Sequence, residues 1–102
     1  MEHHVYFWLK EEQKSAANKA AFEAGLAKLL TIPLIERALW GRPAAVMPRP
    51  VIDSSWDYSL SITFSSVETQ DAYQVDPIHQ EFINEHKERW EKVLVMDVEP
   101  NA

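Results

Sequence analysis

The sequence predicts an α+β domain whose elements run strand, helix, strand, strand, helix, strand. Three observations carry that order. Two segments, His3 to Lys10 and Trp56 to Phe64, alternate with the period of a β-strand. An alanine-rich run from Ser15 to about Leu30 carries apolar residues at helical intervals. Asp76 followed by Pro77 opens a second amphipathic helix, because an Asp side chain caps free backbone N–H groups and proline fits the first helical position, where its missing N–H costs nothing.

In the first strand His3, Val5, Phe7 and Leu9 share one side, and His4, Tyr6, Trp8 and Lys10 the other. Both sides are largely apolar or aromatic, so the strand is expected to be covered twice. Glu11 to Lys14 is a polar turn. The first helix aligns Phe22, Leu26, Leu29 and Leu30, and Pro33 stops it by pushing its predecessor out of helical geometry. Leu34 to Trp40 reads as a short strand ending at Gly41. Between Gly41 and Trp56, Pro43, Pro48, Pro50, Asp53 and two serines make a loop, in which Val46, Met47, Val51 and Ile52 are apolar enough to fold over a neighbour. Trp56, Tyr58, Leu60, Ile62 and Phe64 then form one face of a strand, with Asp57, Ser59, Ser61 and Thr63 opposite. Ser65 or Ser66 caps a short helix running to about Gln74. The helix from Pro77 continues to about Trp90, Val93 to Val98 is the last strand, and Glu99 to Ala102 is a frayed tail.

This order is that of a split βαβ, ferredoxin-like fold: a four-stranded antiparallel sheet with helices on one face, in a single domain spanning residues 1–102. The opposite face needs a cover as well. Tyr6 and Trp8 place too much aromatic surface there for a monomer to leave wet, and four tryptophans are many for so small a chain. A two-fold homodimer, its sheets facing each other to close an α+β barrel with the helices outside, is the expected assembly.

Composition excludes several classes of function. At 102 residues the chain is large enough to bury roughly 65% of the surface its unfolded form exposes. It has no cysteine, so disulfides, thiolate chemistry and Cys-based zinc sites are out of reach. A net charge of −6 with no Lys or Arg cluster argues against nucleic acid as a partner. The apolar runs are far too short to span a bilayer, and the N-terminus lacks a basic segment followed by a hydrophobic core, so a soluble cytoplasmic protein without a membrane partner is expected.

The candidate chemistry lies at the start of the last helix. His79 falls in its first turn, and His79, Phe82, Ile83, His86 and Trp90 recur on one helical face. Burial and the positive helix end both disfavour the imidazolium, so His79 should stay neutral near pH 7 and act as a proton acceptor; the plainer alternative is a hydrogen-bonded core histidine. Tyr73 either presents its hydroxyl to that site or packs between helix and sheet with the hydroxyl at the surface. No metal site is expected, because His3 and His4 point to opposite sides of a strand and His86 lies about 10 Å along the helix from His79. Glu81, Glu85, Glu88 and Glu91 read as a solvated helix face, paired in part with Lys87, Arg89 and Lys92.

Across nearly its whole length the chain also resembles a known family. The His-x-Val-x-Phe strand at His3 to Lys10, Ile32-Pro33 after the first helix, Trp40-Gly41, the segment Thr63 to Glu68 and the helix start Asp76 to His79 together resemble the stress-responsive A/B barrel family. The resemblance implies a small dimeric α+β barrel. Many members are bacterial proteins without assigned activity, others are plant proteins linked to stress tolerance, and one is a plant polyketide cyclase. That cyclase uses a histidine base and a tyrosine hydroxyl, which match His79 and Tyr73 here, and a strand histidine that matches His3. A second strand histidine is replaced by Tyr58, and bulky helix residues by Ala21 and Gly25, leaving Phe22 as an aromatic; this implies a pocket of another shape with another ligand.

The resemblance therefore implies a cofactor-free small-molecule enzyme, or a ligand-binding protein, that takes a small apolar or aromatic compound between sheet and helices. His79 would be the base and Tyr73 the hydrogen-bond donor, and His3, Val5, Phe22, Tyr58, Leu60, Phe82 and Trp90 would border the ligand. The alternative is a non-catalytic stress-response or scaffold dimer with a filled interior. Cofactor-free monooxygenases and haem-degrading enzymes of related barrels are a third possibility, which fold alone does not separate from the others.

Overall fold

In the computed structural model, which describes residues 1–101, the chain runs β1 (Glu2–Leu9), α1 (Ala16–Leu29), β2 (Arg37–Gly41), β3 (Tyr58–Thr63), α2 (Val67–Gln74), α3 (Pro77–His86) and β4 (Trp90–Val98). Ala102, the end of the tail expected to fray, lies outside the described residues. The strands form one sheet in the order β2-β3-β1-β4, and every neighbouring pair is antiparallel. This is the α+β, ferredoxin-like arrangement read from the sequence. Among the described residues no helix is long and apolar enough to cross a membrane.

Each helix starts where its cap residue predicts. The Ser15 hydroxyl accepts from the Asn18 N–H at 3.2 Å, the Ser66 hydroxyl from the Thr69 N–H at 3.1 Å, and the Asp76 carboxylate from the Ile78 N–H at 2.8 Å with Pro77 at the first helical position.

Strand register sorts the side chains between two faces. His3, Ile62, Ala38 and Asp97 lie in one row across the sheet, Val5, Leu60, Trp40 and Val95 in the next, and Phe7, Tyr58 and Val93 in a third. Against these rows pack Phe22, Leu26 and Leu29 from α1, Tyr73 from α2 and Phe82 from α3, all buried. Fully buried Phe22 is the hub, with the rings of Phe7, Tyr58, Phe82, His86 and Trp90 around it at centroid distances of 5.2 to 6.3 Å. The other face carries His4, Tyr6 and Trp8 of β1 beside Met96, Leu94 and Lys92 of β4, with Ser59, Ser61 and Thr63 on β3. Among the described residues no helix packs on that face. Strand β4 is one of the two sheet edges, and Val93 to Met96 and Val98 on it are exposed on both sides.

Four boundaries differ from the sequence reading, each for a local reason. Strand β2 begins at Arg37 rather than Leu34, because buried Ile32 extends the helix end into a turn closed by the Ile35 N–H on the Ile32 carbonyl at 3.1 Å. Trp56 precedes β3 instead of opening it. Its indole N–H donates to the Asp53 carbonyl at 2.8 Å, and its ring stands edge-on to Tyr6 at 5.3 Å on the outer face, away from Tyr58. The last helix ends at His86, followed by a single 3₁₀ turn, Lys87–Arg89. There the Arg89 carbonyl accepts from the Lys10 N–H at 2.9 Å, drawing the backbone into the sheet, so Trp90 reaches the core as the first residue of β4. Arg89 also leaves the solvated face expected for it. Its guanidinium donates to His86 Nδ1 at 3.1 Å, Gln13 Oε1 at 3.0 Å and Asn18 Oδ1 at 3.2 Å, tying the end of α3 to the start of α1.

Buried His86 makes Gly25 a steric requirement of α1. A Cβ added at Gly25 would lie 2.3 Å from His86 Nε2, and the ring is confined by Phe22, Phe82 and Arg89. Gly25→Ala should therefore destabilise the protein by up to about 2 kcal/mol net: overpacking costs roughly 1–3 kcal/mol, offset by about 1 kcal/mol of better helix propensity. Urea denaturation measures it, and a double-mutant cycle with His86→Ala should show strong coupling between the two positions.

Candidate active site

Between the β1–β4 side of the sheet and helices α2 and α3 lies a cavity of about 140 Å³. Its wall includes Val5, Phe7 and Leu60 from the sheet, Phe82 and Ile83 from α3, and Trp90, Val93 and Val95 from β4. His3, Tyr73, Gln74 and His79 supply its polar edge. The exposed members of the wall are Val93 at 36% and Val95 at 47%, so solvent reaches the cavity along the edge strand.

His79 is placed by the Asp76-Pro77 helix start, which turns its ring towards the sheet within the first turn of α3. The ring stands edge-on to Tyr73, with centroids 4.7 Å apart, and Tyr73 in turn stands edge-on to His3 at 6.0 Å. Burial holds the His79 pKa below its ordinary value of 6.5, and the neighbouring His3 adds to the effect; the Gln74 carbonyl and the Asp76 carboxylate pull more weakly the other way. His79 Nδ1 is buried without a hydrogen-bond partner among the described residues. That is an unmet polar function of the kind that marks a ligand or proton-transfer position. Burial pushes the Tyr73 phenol well above its ordinary value, so it stays protonated, a donor without an acceptor among the described residues.

His3 is held by a residue the sequence reading missed. Asp97 lies directly opposite it in the β1–β4 register, and the Asp97 carboxylate meets His3 Nδ1 at 2.5 Å. With Nδ1 engaged by Asp97, Nε2 is the ring nitrogen left free of that contact. The signal was present in the alternation of Val93, Val95 and Asp97, where an acidic side chain falls on the apolar side of a strand.

Of the nine site residues drawn from sequence, the structure brings seven to the cavity: His79, Tyr73, His3, Val5, Leu60, Phe82 and Trp90. Phe22 and Tyr58 lie behind this wall. Phe22 is packed between Phe7 and Phe82, and the Tyr58 hydroxyl turns away to donate to Glu23 at 2.6 Å. Burial and the Glu23 carboxylate push the Tyr58 phenol up to about 12. Phe7, Leu29, Gln74, Ile83, Val93 and Val95 line the cavity without having been singled out, because apolar periodicity does not separate a cavity wall from filled core. Among the described residues no group of three or more His, Cys, Asp or Glu side chains could hold a metal ion.

The two depressed histidines set a pH dependence of stability. His86, like His79, titrates below 6.5 because it is buried. Above that value folded and unfolded rings are both neutral. As pH falls below it the unfolded chain binds protons that the folded rings refuse, and stability is lost as pH drops through the lower folded values. Denaturation midpoints should fall between about pH 7 and pH 5, and the slope should be shallower in the His79→Gln variant.

Comparison with known proteins places these features in a wider group. The sequence matches the stress responsive A/B barrel domain over residues 1–100. It is 25% identical over 100 residues to olivetolic acid cyclase of Cannabis sativa, covering 98% of this chain and 96% of the cyclase. Among solved structures, a protein of Arabidopsis thaliana superposes with a TM-score of 0.80 at 24% identity, covering 99% of this chain and 95% of that one. The hydroxynitrile lyase of Passiflora edulis gives 0.74 at 22%, covering 93% and 87%. A dimeric ferredoxin-like protein of unknown function from Thermobifida fusca gives 0.74 at 14%, covering 93% and 85%.

Proposed function

The chain belongs to the stress-responsive A/B barrel family, and from that premise we propose that it is a cofactor-free enzyme that moves a proton on a small carbonyl compound. His79 takes the proton from the carbon beside the carbonyl, and the Tyr73 hydroxyl donates a hydrogen bond to the oxygen on which negative charge develops. The observation that carries this reading is a half-buried imidazole, its Nδ1 without a partner among the described residues, edge-on to the Tyr73 phenol at the rim of a cavity. His3, held by Asp97, stands on the far side of Tyr73 and is placed to relay the proton or orient the substrate. The relatives described as a cyclase and a lyase are consistent with chemistry of this kind.

Two further considerations support the choice. A non-catalytic scaffold would have a filled interior, whereas an open cavity adjoins His79. Haem is several times larger than about 140 Å³, so a haem-degrading role would require the wall to move. We also propose that the protein acts as a homodimer paired through the outer sheet faces, which buries Tyr6, Trp8, Leu94 and Met96. A dimeric relative of the same fold supports this.

The test is solvent deuterium incorporation. Small ketones incubated with the protein in D₂O and followed by proton NMR should lose their α-proton signals faster than in buffer. Absence of exchange with every ketone that binds would remove the proposed reaction.

A further inference from the structure

The wall of the cavity narrows the class of compound that the proposed reaction would act on. A cavity of about 140 Å³ is close to the apolar cavity of about 150 Å³ that takes one benzene molecule in an engineered protein. It accommodates one six-membered ring, with any further substituent directed out past Val93 and Val95. The ring would meet Phe7, Phe82 and Trp90, whose faces and edges suit an aromatic or saturated ring. No Lys or Arg lines the cavity. Charged side chains beside it are carboxylates, Asp97 on His3 and Asp76 next to the His79 ring, and both disfavour an anion. A carboxylate substrate would lose its hydration and find no counter-charge.

We infer, building on the proposed roles of His79 and Tyr73, that the ligand is an uncharged carbonyl compound built on a single six-membered ring, and that the cavity rejects both carboxylates and fused bicyclic rings. In the bound compound the carbonyl oxygen accepts from the Tyr73 hydroxyl while the α-carbon faces His79. The α C–H bond breaks, its electron pair passes through the carbon to the carbonyl oxygen as an enolate, and the proton moves to the imidazole. Return of a proton or deuteron from the imidazole restores the ketone, so no oxidant, reductant or second substrate is consumed.

The experiment uses three probes on the whole protein at pH 7: acetophenone, benzoate and 2-acetonaphthone. Binding is read from quenching of tryptophan fluorescence, to which the cavity-lining Trp90 contributes, and from ligand-observed NMR. Acetophenone should bind, and Val5→Phe, which fills the cavity, should abolish that binding while the protein keeps its circular dichroism. Benzoate and 2-acetonaphthone should each bind about tenfold or more weakly, a difference of roughly 1.4 kcal/mol or more. Benzoate or 2-acetonaphthone binding as well as acetophenone, acetophenone failing to bind, or Val5→Phe leaving its binding intact would each overturn the ligand class. The reading of His79 as base fails separately: it falls if His79→Gln still binds acetophenone and still exchanges its methyl protons at the wild-type rate.

Discussion

His79→Gln should lower proton exchange on a bound ketone by about 10²- to 10⁴-fold, the usual contribution of a positioned general base, while the protein stays folded. Glutamine keeps a polar group of similar reach but has no lone pair basic enough to hold a proton. His79 Nδ1 has no hydrogen-bond partner among the described residues and the ring is half-buried, so a glutamine there leaves the fold in place. Tyr73→Phe should lower exchange by a smaller factor, on the order of 10². No hydrogen bond holds that hydroxyl among the described residues, so the change should leave stability close to that of the wild type. NMR exchange rates and thermal melts on the same samples separate the outcomes. If the melting temperature drops and exchange does not, His79 is a structural histidine and the proposed chemistry is wrong.

Leu94→Asp should split the proposed dimer. Leu94 lies opposite Tyr6 on the outer sheet face and is 39% exposed in the single chain, so a carboxylate there is harmless to the fold of one subunit. In a two-fold pair each substitution appears twice, and burying like charges without partners costs several kcal/mol, enough to weaken association by about 10³-fold or more. Sedimentation velocity at micromolar concentration should show a monomer. Val67→Asp, at an exposed position that opens α2 on the helical side, is the control and should stay paired. An unaltered dimer in Leu94→Asp would place the contact elsewhere.

Much of the architecture was legible because local chemistry and global packing agree. Alternation in β1 predicted which side of each residue is buried, and a serine cap and an aspartate cap marked where α2 and α3 begin. The misplacements occurred where a long-range contact overrode a local pattern. Trp90 continues the helical spacing of α3, yet pairing with Leu9 across the sheet pulls it into β4. Trp56 continues the alternation of β3, yet the turn around Asp53 rotates it to the other face. For the candidate site the His79–Tyr73 pair could be found from the helix start, whereas alternation marks Asp97 as facing inward but its pairing with His3 depends on the β1–β4 register.

Strand β4 is two-sided in a way that divides its residues by parity. Val93, Val95 and Asp97 look towards the cavity and its polar edge, and Leu94 and Met96 look towards the proposed partner. If the proposed function and pairing hold, odd positions tune what the molecule holds and even positions tune whom it joins. A slip of this ribbon by one residue against β1 would exchange the two duties at once. The bulge between Trp8 and Leu9, together with the Asp97–His3 clasp at the opposite end, pins the ribbon against such a slip.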